Sequence, residues 1–256
     1  MQPTEGLADL LRWYVAMGAD EAIDEVAPDR LAAAPPTRPL APVPTPAPCV
    51  AADRSAASAR QLAAAATSLA ELEAAVRAFE GCALKRTATN TVFAEGVSGA
   101  AVMVIGEAPG ADEDRLGKPF VGRSGQLLDR MLAAIGLNRR ENAYITNVLF
   151  WRPPGNRKPT NDEIAACLPF VWRHVALLRP RLVVMCGGTA TSAHLGRGDG
   201  IMRLRGRWFD LEIEGLGDKV PALATYHPSF LLRAPARKGE AWRDLLALQT
   251  KLKDTQ

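Results

Sequence analysis

The apolar residues fall into short runs separated by longer amphipathic stretches. Ala101-Val102-Met103-Val104-Ile105 is the clearest run, and the same pattern predicts strands at 101–106, 143–149, 181–186 and 220–225. Between and after them, apolar residues at helical spacing predict helices at 124–136, 161–179, 188–195 and 239–253. Strand and helix alternating at this spacing argue for a parallel sheet covered on both faces. Trp208 to Ile213 adds a short further strand. Ahead of the core, Ser68–Phe79 reads as a helix with Ser68 as N-cap and Glu71 in the capping-box position. Leu7, Leu10, Leu11, Tyr14, Val15 and Ala22 share one face of an amphipathic segment within residues 1–30. Residues 31–67 hold seven prolines between Pro35 and Pro48, followed by Ala/Ser-rich sequence, and read as an extended linker. Residues 68–256 are then the functional domain.

The predicted carboxyl ends of the strands carry the residues suited to chemistry, which is where open parallel sheets bind ligands. The first strand runs into Gly106-Glu107-Ala108-Pro109-Gly110-Ala111-Asp112-Glu113-Asp114, followed by Lys118-Pro119-Phe120-Val121-Gly122. Carboxylates, close-approach glycines and a flat aromatic suit a planar polar ligand on a phosphate backbone, such as a nucleobase in DNA. The second strand ends at Asn147, whose amide supplies both a donor and an acceptor to a base edge. That pair distinguishes uracil from cytosine, whose C4 substituent is a donor rather than an acceptor. Arg152, Arg157 and Lys158 follow as candidate phosphate contacts. The fourth strand ends at His227-Pro228-Ser229-Phe230-Leu231-Leu232-Arg233. His227 is placed to donate to a carbonyl oxygen of a departing base, and Leu231 or Leu232 to wedge into a base stack. His174 and His194 lie in helical patterns and read as structural.

Charge sharpens the picture. The net charge is only +3, but residues 1–74 carry 5 Lys/Arg against 10 Asp/Glu, while residues 75–256 carry 26 against 18. A basic core behind an acidic leader fits a polyanionic partner for the core. No apolar run approaches a membrane span, and the leader lacks the basic-then-apolar pattern of a secretory signal. These features place the chain in a bacterial-type cytosol. The absence of a P-loop and of a G-x-G-x-x-G after a strand argues against a nucleotide-binding protein of another class.

Taken together, Gly106–Asp114, Lys118–Gly122, Thr146-Asn147-Val148, Arg152-Pro153-Pro154, Pro159-Thr160 and His227–Arg233 resemble the uracil-DNA glycosylase superfamily, most closely its iron–sulfur family 4. The likeness spans about Phe79 to Leu252. It implies a three-layer α/β/α sandwich with a central, four-stranded, mainly parallel sheet. It also implies a monofunctional enzyme that flips uracil out of DNA and hydrolyses its N-glycosidic bond, initiating base-excision repair. On this resemblance Phe120 stacks on the base, Asn147 binds its edge and His227 stabilises charge at O2. Gly106 and Ala108 line the pocket, and Glu107 or Glu113, with Glu107 favoured, orients water or stabilises the sugar cation. Ser229, Leu231, Leu232 and Arg233 contact DNA, as do Arg152, Arg157 and Lys158. The expected partner is uracil-containing DNA, the expected state a monomer, with the N-terminal helix as a docking element for another protein. A non-catalytic uracil- or DNA-binding protein that keeps the pocket is the alternative.

Family 4 holds its four-iron cluster with four cysteines, and the resemblance maps these onto Phe79, Cys82, Trp151 and Cys167. Two ligands are therefore replaced by aromatics. Cys49 in the Pro-rich stretch and Cys186 in a predicted strand are poor substitutes. The expectation is that the cluster is lost, that Phe79 and Trp151 fill its volume, and that no cofactor is needed.

Overall fold

The computed structural model describes residues 50–196 and 198–254, and the amphipathic segment and most of the Pro-rich stretch lie outside them. The first described element contradicts the expected extent of the linker. Val50–Ala65 is a helix (α1) rather than extended chain. Alanine carries the lowest cost of any residue in a helix, and Ala59 and Ala63 are buried where α1 packs on the later helix α5, Asn161–Leu178. The side chains at this contact are too small to produce a strong amphipathic signal. Helix α2 (Leu69–Ala78) starts as expected: the Ser68 hydroxyl accepts the Glu71 N–H. The Glu71 carboxylate reaches one residue further back than a standard capping box and accepts the Thr67 N–H at 2.7 Å and the Thr67 hydroxyl at 2.8 Å.

The sheet has six strands in the order β1-β3-β2-β4-β6-β5. Its centre is the expected parallel set: β2 (Val102–Gly106), β3 (Ala143–Asn147), β4 (Leu182–Cys186) and β6 (Val220–Thr225). Every residue of β2, β3 and β4 is buried, which is why these strands read as continuous apolar runs. Two antiparallel edges widen it. β5 (Trp208–Leu211) was anticipated, whereas β1 (Ala94–Gly96) carries no strand pattern in its three residues.

Alternate residues of the central strands point to opposite faces. Met103, Ile105, Val183, Met185, Ala222 and Ala224 pack under α1, α2 and α5. Val102, Val104, Ile145, Val184 and Leu223 pack under α4 (Arg123–Ala133) and the C-terminal helix α9 (Lys238–Asp254). The result is an α/β/α sandwich with two cores. The short helices α3 (Ala111–Leu116), α6 (Gly188–Leu195), α7 (Ile201–Leu204) and α8 (Pro228–Arg233) complete the chain order. Three of them, α3, α6 and α8, follow the carboxyl ends of β2, β4 and β6. No described helix is long and apolar enough to cross a membrane.

Candidate active site

The β2–β3 pairing sets the floor of the site. Gly106 lies opposite Asn147 in the register. The pairing then continues past both strand ends, with Val148 N–H donating to Gly106 O at 2.9 Å and Leu149 N–H to Glu107 O at 3.1 Å. A Cβ on Gly106 would collide with both Asn147 Oδ1 and the tip of the Phe120 ring, so these two side chains converge over the bare glycine. Asn147 is 1% exposed, and neither Oδ1 nor Nδ2 has a partner among the described residues. A buried amide with both ends unspent is costly unless something else supplies the hydrogen bonds.

Phe120 occupies a strained backbone position, φ +52°. Three elements hold it there. Gly125 lies so close beneath the Phe120 carbonyl that any Cβ would clash with the backbone. Arg139 donates to Pro119 O at 2.9 Å and to Phe120 O at 2.8 Å while pairing with Glu95 and Asp129. Glu113 receives Val121 N–H and Gly122 N–H on Oε1, both at 2.9 Å, and Gly110 N–H on Oε2 at 3.0 Å. Both Glu113 oxygens are thus committed to the loop, and its place in the structure is that of a brace rather than a water-facing carboxylate.

His227 lies two residues beyond β6 and caps α8. Its Nδ1 accepts the Ser229 N–H at 3.1 Å, with Ser229 Oγ also 2.8 Å away. A backbone N–H donates only to an unprotonated ring nitrogen, so the neutral ring carries its proton on Nε2. Burial, aided by the charge of Arg233, lowers the His227 pKa to about 4 and keeps the ring neutral near pH 7. The ring stacks at 5.4 Å from Phe120. Gly187 (φ +92°) passes beneath it, where an added Cβ would lie 2.9 Å from His227 Cβ. Glu107 sits half-buried in the β2–α3 loop beside Ala108, and its Oε2 accepts a short hydrogen bond from the Thr189 hydroxyl on the first turn of α6.

The flanking basic residues separate into two groups. Arg233, exposed, and Leu232, half-buried, lie on α8 beside His227. Leu231 does not: it is 1% exposed and packs with Leu127, Tyr226 and Ala241, so it anchors α8 and is not available as a wedge. After β3, Arg152 donates to Asn156 at 2.8 Å and Lys158 is exposed. Arg157 is tied back in a forked ion pair with Glu163, which also caps α5. Thr189, Arg139 and Gly187 were not singled out in the sequence. A lone Thr or Arg outside a motif carries no signal, although Gly187-Gly188 directly after a strand marks a close backbone approach.

The remnant cluster positions share one core: Phe79, Cys82, Trp151 and Cys167 are all buried there. The Cys167 thiol hydrogen-bonds to Cys82, lowering the Cys82 pKa and raising that of Cys167. Phe79 meets Phe170 edge-on at 5.1 Å, and Trp151 spends its indole N–H on Thr91 at 3.0 Å. Two sulfurs and two side chains without ligand atoms do not fit a cluster held by four thiolates. Among the described residues no group of three or more His, Cys, Asp or Glu could hold a metal ion.

A stacking ring, an unspent amide, a neutral imidazole donor and a held carboxylate meet at the carboxyl edge of a parallel sheet. Groups of this kind are the ones a planar, hydrogen-bonding base requires. Residues 93–246 match the sequence profile described as the uracil DNA glycosylase superfamily, and the chain belongs to that superfamily. It is similar to the type-4 uracil-DNA glycosylase of Pyrobaculum aerophilum, 38% identical over 181 residues that span 69% of this chain and 91% of the relative. Those of Archaeoglobus fulgidus and Thermotoga maritima are 43% and 41% identical, over 62% of this chain and 80% of each relative.

Proposed function

We propose that the chain is a monofunctional uracil-DNA glycosylase that draws uracil from DNA into this pocket and hydrolyses its N-glycosidic bond. The buried amide of Asn147, with both of its polar atoms unspent, carries the reading. Its Nδ2 donates to the uracil carbonyl at C4 and its Oδ1 accepts the ring N–H, a pairing that cytosine cannot return. Phe120 stacks on the ring, and a Cβ at Gly106 would close the slot.

Breaking the bond between C1′ and the base moves an electron pair onto uracil and leaves an oxocarbenium-like sugar. His227, neutral with its proton on Nε2, donates to O2 as negative charge builds there; a fixed donor costs little reorganisation in a dry site. Glu107 faces the sugar side, stabilises the cation and orients the water that adds to C1′. Ser229, Leu232 and Arg233 on one flank and Arg152 and Lys158 on the other contact the DNA backbone. Chemistry of this kind needs no metal, and the aromatic plug at Phe79 and Trp151 supports a protein that works without an iron–sulfur cluster. We place it in the cytosol, as a monomer.

The test is alkali-revealed cleavage of a uracil-containing oligonucleotide by the wild type and by Asn147→Ala and Glu107→Ala. Cleavage in the wild type, lowered at least about 100-fold in each variant, is the expected result, each lost group being worth about 3 kcal/mol. Tight binding of uracil DNA without cleavage would identify a non-catalytic reader instead. A broad visible absorption band in anaerobically purified protein would show that a cluster is held after all.

A further inference from the structure

Glu107 has one hydrogen-bond donor among the described residues, the hydroxyl of Thr189. That hydroxyl comes from a different part of the chain, 82 residues away; Thr189 is the second residue of α6 and has no preceding helical turn to bond back to. In a helix the Thr hydroxyl ordinarily turns back to the carbonyl of the preceding turn. Thr191, two residues on, does this, donating to Gly187 O at 2.8 Å. Thr189 instead reaches across from the end of β4 to the loop after β2, which is possible because β2 and β4 are direct neighbours in the sheet. We infer that Thr189 is the positioning residue of the reaction, fixing the rotation of the Glu107 carboxylate so that Oε1 alone is presented to the water and the sugar.

The inference rests on the role proposed for Glu107. A glutamate on a loop has three rotatable side-chain bonds, and a carboxylate that swings samples the reacting geometry only part of the time. Anchoring Oε2 removes most of that freedom and leaves the other oxygen for chemistry. The anchor stands on a turn tied to the sheet: Gly187 N–H donates to Thr225 O at 2.8 Å and the chain passes beneath His227, so the imidazole and the carboxylate are indexed to the same turn. Displacement of Thr189 therefore disturbs Glu107 without touching Asn147 or Phe120, and its effect belongs to the bond-breaking step and not to base recognition.

The experiment compares wild type, Thr189→Val, Thr189→Ser, Glu107→Ala and the Thr189→Val/Glu107→Ala double variant. Single-turnover excision from a uracil oligonucleotide and Kd for the same DNA are measured for each. A charge-assisted hydrogen bond of this kind corresponds to about a 10- to 100-fold change in rate. Thr189→Val is expected to lose about that much rate with Kd unchanged within about twofold, and Thr189→Ser, which keeps the hydroxyl, to recover most of it. In the Glu107→Ala background the Thr189→Val change is expected to cost almost nothing more, because the two side chains act as one unit. Wild-type rate in Thr189→Val beside a slow Glu107→Ala overturns the inference and leaves Glu107 in place. An equal cost of Thr189→Val in both backgrounds, or no recovery by serine, overturns it as well. Wild-type rate in Glu107→Ala removes the carboxylate's role and the inference with it.

Discussion

Two residues at the site are defined by what they lack. Gly106 has no side chain, and a methyl there would occupy the space over which Asn147 and Phe120 converge. Gly106→Ala is expected to abolish uracil excision and to lower stability by about 1–3 kcal/mol, since the methyl collides with Asn147 Oδ1 and the Phe120 ring and must push both aside; activity and thermal melting measured on one preparation check this. Asn147 lacks partners, and that absence was not legible in the sequence. An Asn at a strand end serves a turn more often than a ligand, and only burial of both unpaired amide atoms separates the two cases. Glu113 and Leu231 show the converse. Both lie in stretches that the sequence marks as candidates for function, on the short helices α3 and α8, yet the first spends its oxygens on three backbone N–H groups and the second is buried against Tyr226. Sequence position finds the stretch; only packing says which way each side chain turns. Leu231→Ala is therefore expected to act as a core truncation, costing about 2–4 kcal/mol in denaturant unfolding, rather than as the loss of a wedge.

At the scale of elements, the loop between α3 and α4 is held against its own backbone preference. Arg139 is largely buried and satisfies two carbonyls of that loop while pairing with Glu95 on β1. Arg139→Met is expected to destabilise the protein by about 1–3 kcal/mol, because two loop carbonyls lose their donor, while half-buried Glu95 keeps its pairing with Lys118. It is also expected to lower excision through loss of the φ +52° conformation at Phe120, and urea unfolding with single-turnover kinetics measures both effects. Strand β1, which brings Glu95 to this cluster, escaped the sequence because Ala94-Glu95-Gly96 has no alternation and pairs only through its backbone. Helix α1 escaped for a related reason: its buried face is alanine. The α1 contact sets a boundary for truncation. Removal of residues 1–49 is expected to leave excision from a short oligonucleotide unchanged. Extending the cut to 67 strips α1 from α5 and takes away the Ala66 carbonyl that accepts two Arg173 hydrogen bonds, and a fall in melting temperature is expected.

At the scale of the whole molecule, the histidines tie stability to pH, His194 being lowered by burial in the same direction as the two that move furthest. Burial lowers His174 to about 3 and, with Arg233, lowers His227 to about 4, whereas both titrate near 6.5 in the unfolded chain. Below 6.5 the unfolded chain binds protons that the native state refuses, so stability is full above that value and drains away as the pH falls through 6.5 toward 4. Thermal melting at pH 7.5 and pH 5 is expected to show the loss, and excision by the protein that remains folded is expected to show no acid limb near 6.5. The central parallel strands, and the helices of both layers apart from α1, were legible because the strands are buried on both faces and largely apolar and the helices carry helical spacing. The β1 edge of the sheet and the supports of the loops were not, since they rest on backbone pairing and on single side chains outside any motif. One of those backbone pairings reaches furthest. The β2–β3 ladder runs through Gly106 and Asn147 and on to Val148 and Leu149, so the rungs that hold the base reader are rungs of the central sheet. The amide protons of Val148 and Leu149 should then exchange with solvent only as rarely as those of the sheet itself. A pocket with that protection does not yield to its substrate, and the bending needed to bring a base into it falls to the DNA.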